Sequence, residues 1–273
     1  MKEISQEEAI KIRKRILQAF HELCEEKGLN YSLGYGTLLG AVRHSGMIPW
    51  DDDIDIVMPR YDYEKLSEIY KVKENKDLYQ FVNHQNHPEI KTKIGYFIDY
   101  STITEVAGTL NDYHGIHIDI YPIDILPNGK FKRSWLLLRR CIIHLMIRAK
   151  DLHPDLFRGR QRLIRKLVLA LCLPFNYDKL LDKLGCISQK YMPIPEEERT
   201  SACCLVEYGK PQCFPYSVIT EYAAYDYEDH KYFGFKNYDV LLSAWYGNYM
   251  TPPRDDERRR PEHKHVRYYY KDR

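Results

Sequence analysis

The stretch YGTLLGAVRHSGMIPWDDDIDIVMP, residues 35–59, decides how the chain folds. Its part DDDIDIVM, residues 51–58, alternates acidic with apolar side chains, a period of two that is typical of a strand with one buried face. We therefore expect a strand over residues 51–58 that ends at Pro59. On such a strand Asp53 and Asp55 share the polar face, so both carboxylates can enter one cavity.

Two carboxylates in one cavity repel each other, and a divalent cation between them relieves that repulsion. Hard oxygen ligands favour Mg²⁺ or Mn²⁺, ions that usually also hold substrate phosphates. A second alternating stretch, GIHIDIY at residues 115–121, presents Asp119 in the same way. The pattern predicts a Mg²⁺ or Mn²⁺ site made by Asp53, Asp55 and Asp119.

Other interpretations of the DDDIDI motif stay open. An acidic strand end can simply be solvated. An Asp-x-Asp pair also holds the metal ion of nucleotide-sugar glycosyltransferases, which usually place a long nucleotide-binding unit before it, whereas only one helix and a short strand come first here. A calcium-binding EF-hand loop is disfavoured, because Ile56 stands where such a loop needs glycine.

The sequence before the acidic motif predicts a helix and then a phosphate-binding turn. Ser5 followed by Glu8 reads as a capping box, and apolar residues recur at steps of three and four up to Gly28. Gly36 and Thr37 then lie at a strand-to-helix junction, where free backbone N–H groups and the helix dipole bind phosphate. Phosphate-binding turn, short helix and acidic strand, in this order, describe a polymerase-β-like nucleotidyltransferase core, an α+β fold with a small mixed sheet and flanking helices.

The remaining pattern divides the chain into three parts. It predicts a helix at 61–70, strands at 78–82 and 94–100, two or three helices between 130 and 193, and a helix at 238–246. We place the catalytic core at 1–128, a helical basic insertion at 129–195, and a C-terminal segment at 196–273 that returns to the core.

The insertion differs from the rest of the chain in charge. Residues 130–175 carry twelve Lys and Arg against two Asp, although the whole chain, with 41 Lys+Arg and 39 Asp+Glu, is nearly neutral. This overall balance argues against a nucleic-acid-binding protein. Ordinary fractions of hydrophobic (44%) and charged (29%) residues also exclude a disordered or coiled-coil chain.

Two stripes run along the first helix of the insertion. The basic stripe is Arg140, His144 and Arg148, and the apolar stripe is Trp135, Leu138, Ile142 and Leu145. Such a helix suits a membrane interface, where anionic headgroups attract basic residues. A packed helix pair with a solvated basic rim is the alternative.

Several features indicate a cytoplasmic protein. The seven cysteines form no CxxC pair, which favours reduced thiols. The first fifteen residues are charged throughout and lack the apolar core of a secretory signal. The longest apolar run, residues 167–175, is about half of the ~20 residues that cross a bilayer. We expect at most peripheral contact with the inner face of the plasma membrane, through residues 130–175.

Three blocks of the sequence resemble the LicD family. They are YGTLLGAVRHSGMIPWDDDIDIVMPRYDYEKL (35–66), GIHIDIYPIDILP (115–127) and YGNYMTPP (246–253), in the family's order. Members resemble nucleotidyltransferases and include bacterial phosphocholine transferases, and the ribitol-phosphate transferases fukutin and fukutin-related protein share the domain. The resemblance implies transfer of a phospho-alcohol from a CDP-activated donor to a sugar hydroxyl, with release of CMP.

For bacterial members the usual donor is CDP-choline, and the acceptors belong to lipopolysaccharide, teichoic acid or related surface glycans such as capsule. We therefore expect phosphocholine transfer to a glycan acceptor, and a lipid-linked acceptor would suit a membrane-facing helix. The alternatives are a nucleotidyltransferase, a ribitol- or glycerol-phosphate transferase, and an inactive glycan-binding relative.

The resemblance places the family's acidic motif on Asp51, Asp52, Asp53 and Asp55, and its second acidic strand on Asp119. Spacing favours Asp53 and Asp55 as metal ligands, and Asp119 as a ligand or as the base that deprotonates the acceptor hydroxyl. Asp51 and Asp52 are interpreted as caps of the turn.

The candidate substrate-binding residues are Gly36, Thr37, Arg43, Trp50 and His117. Backbone groups of Gly36 and Thr37 would hold the pyrophosphate, and Arg43 would clamp phosphate oxygens or else pair with the acidic strand. Trp50 is a candidate wall for a quaternary ammonium, and His117 has either a substrate or a structural role. In RDDERRR, residues 254–260, it stays open which arginine matches the family's.

Overall fold

The computed structural model describes residues 1–71, 77–106, 109–111, 115–151, 166, 169–170, 172, 174–207, 209–254 and 266–272. Its helices are α1 (Gln6–Lys27), α2 (Tyr35–His44), α3 (Arg60–Ile69), α4 (Lys130–Asp151), α5 (Tyr177–Gln189) and α6 (Tyr238–Tyr246), with short 3₁₀ turns at Glu196–Glu198 and Tyr216–Ile219. Its strands are β1 (Lys2–Ile4), β2 (Ser32–Leu33), β3 (Asp55–Pro59), β4 (Tyr79–Val82), β5 (Gly95–Asp99), β6 (Thr102–Val106), β7 (Thr109–Asn111), β8 (His117–Ile125), β9 (Ser201–Cys203), β10 (Cys213–Pro215), β11 (Tyr222–Tyr227), β12 (His230–Phe235) and β13 (Val266–Tyr270). The described chain is therefore an α+β fold, and the narrower polymerase-β-like architecture stays a prediction.

Helix α1 begins and ends where the sequence predicts. The Ser5 hydroxyl accepts a hydrogen bond from the Glu8 N–H at 3.2 Å, and Gly28 ends the helix with a φ of 62°. A left-handed φ of this kind suits glycine, which carries no Cβ. The apolar stripe of α1 is buried in the largest core cluster together with Ile118 and Ile120 of β8.

Strand β8 is the centre of the main sheet. On one side β3 pairs with it in parallel, with Asp55 opposite Asp119; on the other side β5 and β9 pair with it antiparallel. Ile56, Ile118 and Ile120 are fully buried in the core. Since side chains alternate along a strand, Asp55 and Asp119 both lie on the opposite face of the sheet.

The predicted strand at 51–58 begins four residues later, at Asp55. The edge partner β2 pairs only with residues 56–57, and β8 pairs with β3 from Asp55 onward. Residues 51–53 are three consecutive aspartates that pair with no strand of the described chain, and the Asp51 N–H instead donates to the Ile48 carbonyl at 2.9 Å. Asp53 lies in the loop before β3, so the strand spacing assumed between Asp53 and Asp55 does not apply.

The other predicted elements within the described residues are confirmed with small shifts of their ends. The helix at 61–70 is α3, the strands at 78–82 and 94–100 are β4 and β5, and the helix at 238–246 is α6. In the insertion α4 and α5 are present, and most of the chain between them lies outside the described residues.

The C-terminal segment contributes to two sheets. Strand β9 pairs with β8, and β13 lies between β1 and β6 in an antiparallel sheet that β7 extends. Strands β11 and β12 form a separate hairpin. Residues 196–273 are thus joined to strands of the first half, while the three-part division of the chain stays a prediction.

Helix α4 turns most of its basic stripe inward, contrary to expectation. Arg140 donates to the carbonyls of Leu205 at 2.8 Å, of Gly209 at 3.1 Å and of Glu207, and His144 Nε2 donates to the Leu205 carbonyl at 2.9 Å. Both side chains are buried. Buried carbonyls outside regular strands need donors, and these two residues supply them. A solvated basic rim is therefore wrong for Arg140 and His144, although Arg148 is exposed.

None of the helices in the described part of the chain combines the length and the hydropathy that crossing a bilayer requires. All seven cysteines are free thiols.

We predict that His144 makes the fold sensitive to acid. Burial lowers the pKa of His144 to about 4, and the charges of Arg140 and Lys93 add to this. Because the unfolded chain binds this proton near pH 6.5, stability should rise by roughly 2 kcal/mol between about pH 4 and 6.5, and this group's contribution should be constant below and above that window. Urea unfolding at several pH values measures it.

The variant His144→Gln keeps a donor for Leu205 but does not titrate. Its stability should depend less on pH in this window than that of the wild type, and identical pH profiles for the two proteins would count against the assignment.

Candidate active site

A cavity of about 610 Å³ opens between α2, the loop before β3 and the chain around Glu207 and Trp245. Its walls include the carboxylates of Asp51, Asp52, Asp53, Asp55 and Glu207, the aromatic side chains of Tyr35, Trp50, Tyr121, Trp245, Tyr246 and Tyr249, and the guanidinium of Arg43. Acidic and aromatic groups therefore line the same space.

Three of the carboxylates form a tight cluster. Asp51, Asp52 and Asp53 each place an oxygen within 4.8 Å of the others. Burial raises the pKa of Asp51 to about 7, and the charge of Asp53, a hydrogen bond between the two side chains and the charge of Asp52 raise it too. Without a cation, acids this close hold a proton between them.

The acidic cluster fits Mg²⁺ or Mn²⁺. An octahedral ion binds oxygens at about 2.1 Å, which puts its ligand oxygens roughly 3–4 Å apart, and carboxylates are the ligands that such ions prefer. The structure groups Asp53 with Asp51 and Asp52, and places Asp55 in the same cavity. The roles of Asp53, Asp55 and Asp119 as ligands, and of Asp51 and Asp52 as turn caps, stay predictions.

Asp119 lies beside the cavity, on β8 directly opposite Asp55. The Tyr121 hydroxyl, itself part of the wall, donates to Asp119 Oδ2 at 3.4 Å. His117 Nδ1 lies 2.8 Å from the Gly115 carbonyl, so Nδ1 carries the hydrogen, and its Nε2 lies 3.5 Å from Asp119 Oδ1. The Tyr121 hydroxyl thus positions the Asp119 carboxylate, whereas His117 lies next to that carboxylate and does not line the cavity.

The first turn of α2 is locked to β3. The Thr37 hydroxyl accepts a hydrogen bond from the Asp55 N–H at 2.8 Å, and the Gly34 N–H donates to the Asp55 carbonyl at 2.9 Å. A Cβ on Gly36 would lie 2.5 Å from Asp51 Oδ2. Thr37 therefore positions Asp55, while Gly36 leaves room for the carboxylate of Asp51 next to the predicted phosphate-binding turn.

Arg43 and Trp50 both line the cavity, as the sequence predicts. Arg43 Nη1 donates to the Tyr249 carbonyl at 2.9 Å, and its Nε donates to His44 Nδ1 at 3.4 Å. Desolvation lowers the pKa of Arg43. These contacts join α2 to the C-terminal block and leave Arg43 in the wall of the cavity that the acidic cluster also lines.

Residues 28–156 match the family described as "LicD/FKTN/FKRP, nucleotidyltransferase domain". This chain carries a LicD-family domain. The resemblance predicted from the sequence is confirmed. The matched range contains the acidic cluster, Arg43, Asp119 and Tyr121, whereas Glu207 and Trp245 reach the cavity from beyond it.

One of three similar curated proteins is named for this family. The lipopolysaccharide cholinephosphotransferase LicD of Haemophilus influenzae is 27% identical over 270 residues, 96% of this chain and 97% of that protein. An uncharacterized protein of Rickettsia typhi is 37% identical over 81 residues, 27% of this chain and 26% of that protein. One of Rickettsia prowazekii is 44% identical over 55 residues, 20% of this chain and 21% of that protein. The full-length relative supports a transferase activity.

Three residues that line the cavity of the LicD domain, Tyr35, Glu207 and Trp245, were not singled out from the sequence. Tyr35 stacks on Trp245 with ring centroids 4.3 Å apart, meets Tyr121 edge-on at 4.9 Å, and donates its hydroxyl hydrogen to Glu207 Oε2 at 3.0 Å. Tyr35 also has a φ of 41°, in the left-handed region that costs energy for a non-glycine residue. Strain of this kind is concentrated at functional sites.

For other residues of the cavity wall, the sequence did contain a recognisable motif. The YGNYMTPP block contributes five residues to the wall: Tyr246, Asn248, Tyr249, Thr251 and Pro253. Glu207 belongs to no motif, and only the fold brings it to Tyr35. Among the arginines left open in the tail, Arg254 is described, and the other candidates lie outside the described residues.

We predict that Gly36→Ala weakens metal binding without weakening the fold. The new Cβ must displace the Asp51 carboxylate, a movable group, while alanine in place of helical glycine favours α2 by up to about 1 kcal/mol. Titration with Mg²⁺ or Mn²⁺ should show reduced affinity, with an unfolding midpoint equal to or above that of the wild type.

The matched control is Gly185→Ala in α5, where a Cβ meets nothing within 4 Å. It should raise stability and leave metal affinity unchanged. Equal metal affinity in Gly36→Ala and wild type would contradict the placement of the cation at Asp51.

Proposed function

We propose that this protein transfers phosphocholine from CDP-choline to a sugar hydroxyl of a cell-surface glycan precursor, in a reaction that requires Mg²⁺ or Mn²⁺. The carrying observation is one cavity that combines a carboxylate cluster with an aromatic wall. The donor has both groups that such a cavity recognises: a pyrophosphate that needs a metal cation, and a quaternary ammonium that needs aromatic faces. We also propose that the domain has the polymerase-β-like architecture.

The acidic loop would hold the cation. Asp51, Asp52 and Asp53 supply clustered oxygens, and Asp55 lies next to them at the start of β3. A bound Mg²⁺ supplies charge neutralisation to the pyrophosphate. Arg43 and the backbone of the α2 first turn, at Gly36, are placed to bind phosphate oxygens beside it.

The aromatic wall would hold the choline group. Cations bind aromatic faces with about 0.5–2 kcal/mol, more when water is excluded. Tyr35 contacts both Tyr121 and Trp245, and its hydroxyl donates to the carboxylate of Glu207, whose pKa is raised by burial. A trimethylammonium group there would gain both ring faces and an opposite charge. Trp50 extends the aromatic lining and meets the His44 ring edge-on, with ring centroids 6.3 Å apart.

Catalysis then consists mainly of alignment and charge stabilisation. The acceptor hydroxyl attacks the phosphorus that carries choline, a new P–O bond forms, and the P–O bond to CMP breaks. The hydroxyl proton passes to a carboxylate, and Asp119 is our candidate because it lies opposite Asp55 and the Tyr121 hydroxyl holds it in place. Arg43 faces the negative charge that develops on the departing CMP.

The acceptor is proposed from chemistry and from the named relative. The H. influenzae protein is named for lipopolysaccharide, which favours a lipopolysaccharide precursor over teichoic acid or capsule. We propose a cytoplasmic location and a lipid-linked acceptor, and no nucleic-acid partner.

We predict that Asp53→Asn and Asp55→Asn each lower kcat/KM by roughly a hundredfold or more, because each removes a charged oxygen without changing volume. The assay follows CDP-choline labelled separately in choline and in cytidine. Choline label should appear in the acceptor and cytidine label in CMP. Cytidine label in the acceptor would establish a nucleotidyltransferase instead.

Asp226→Asn is the control for these two variants, since Asp226 is an exposed carboxylate that pairs with Lys231 on the β11–β12 hairpin. It should keep wild-type activity. All three variants should unfold at the same urea concentration as the wild type within error, which separates loss of chemistry from loss of fold.

We predict that Trp245→Leu weakens binding of CDP-choline roughly five- to thirtyfold while leaving CDP-glycerol and CDP-ribitol unchanged, because leucine keeps apolar volume but has no π face. Isothermal titration with each donor in Mg²⁺ measures the ratio. Trp245→Phe should recover most of the preference. An equal loss for all three donors would argue against a choline cage at this wall.

A further inference from the structure

Helix α4 carries an apolar face that the rest of the described chain leaves uncovered. Its five large residues are Phe131, Trp135, Leu138, Ile142 and Leu145, with exposed fractions of 86%, 57%, 50%, 48% and 62%. They follow one another at steps of four and three, so they lie on one side of the helix over about 21 Å. A contiguous apolar surface of this size on a folded protein usually meets a partner.

The opposite side of α4 is what holds the helix to the protein. Leu136, Ile143 and Ile147 are buried in a core cluster with α5 and residues 203–206. Arg140 and His144 add hydrogen bonds to the carbonyls of Leu205, Glu207 and Gly209. The apolar face is therefore presented outward by a helix fixed along its length.

Charge around the face selects the kind of partner. Residues 130–150 contain seven Lys and Arg and no Asp or Glu. Of these, Lys130, Lys132 and Arg148 are exposed, and Arg139 is half-exposed. A second copy of this chain would bring two such basic helices together, which is electrostatically unfavourable. An anionic lipid surface offers complementary charge together with an apolar interior.

We propose that α4 seats the protein on an anionic membrane surface, with the five apolar side chains in the region between headgroups and acyl chains and the flanking Lys and Arg at the phosphates. Aromatic residues at one end, aliphatic residues along the rest and basic residues at the edges are typical of helices that lie in this interface. Each basic residue near the lipid adds to the attraction, which falls as salt screens it.

Seating through α4 also positions the cavity. The carbonyls that Arg140 binds belong to the segment that carries Glu207, a wall residue of the candidate active site. The cavity wall thus lies about one helix diameter, roughly 10 Å, from the proposed lipid contact. If the proposed function holds, this geometry suits an acceptor whose lipid part stays in the bilayer. Membrane binding itself needs neither donor nor acceptor.

The test is co-sedimentation of the full chain with vesicles of phosphatidylcholine alone or with about 30 mol% phosphatidylglycerol. The wild type should bind the anionic vesicles more tightly, and binding should weaken between about 0.05 and 0.5 M salt. Leu138→Ser with Ile142→Ser should reduce binding roughly tenfold or more. The control Leu78→Ser, equally exposed at 51% outside α4, should bind like the wild type.

Three results would overturn the proposal. The first is absence of wild-type binding to anionic vesicles, or binding that the double variant retains. The second is a wild-type dimer in sedimentation that the double variant dissociates, which would assign the face to a second copy. The third is a marked drop in the melting temperature of the double variant, which would show that another part of this chain covers the face. These outcomes are independent of the transfer assay, so each proposal can fail alone.

Discussion

The crowding of carboxylates at the start of β3 is the constraint on which the site depends. Parallel pairing fixes Asp55 opposite Asp119, and the turn before β3 brings Asp51, Asp52 and Asp53 together. Like charges so placed resist one another, so the surrounding structure must hold them. Thr37 and Gly34 do this by binding the backbone of Asp55, and Gly36 does it by leaving space for Asp51. A cation bound between these carboxylates would attract each of them and offset their mutual repulsion.

Under the proposed function, the cavity would hold two different cations with an anion between them. Carboxylate oxygens at one end suit a small, hard divalent ion, whereas the rings of Tyr35, Tyr121 and Trp245 suit a large, weakly hydrated one. A CDP-alcohol carries its negative pyrophosphate between these ends. Choline would meet ring faces and the half-buried carboxylate of Glu207, whereas a neutral polyol would gain little from either. The electrostatics of the wall therefore bear on the identity of the transferred group.

Local sequence rules predicted the elements whose causes are local. The capping box of Ser5 and Glu8 predicted the start of α1, and the alternation in residues 115–121 predicted the first part of β8. The strand at 51–58 was predicted too long because alternation does not reveal where partner strands end. Glu207 and Trp245 reach the site through contacts with Tyr35, which is distant in sequence, and no local sequence pattern predicts those contacts. The resemblance to the family identified part of the C-terminal wall because YGNYMTPP, residues 246–253, is a continuous motif.

Helix α4 shows why an amphipathic pattern leaves orientation undecided. The sequence shows two stripes on this helix, and it leaves a membrane-facing helix and a packed helix pair with a solvated basic rim as alternatives. Arg140 and His144 point inward and donate to the backbone carbonyls of Leu205, Glu207 and Gly209, and the apolar stripe is exposed on the other side. Outside residues 130–175 the chain carries more Asp and Glu than Lys and Arg. An anionic surface would therefore attract the α4 side and repel the rest, so charge alone would orient the cavity relative to the bilayer.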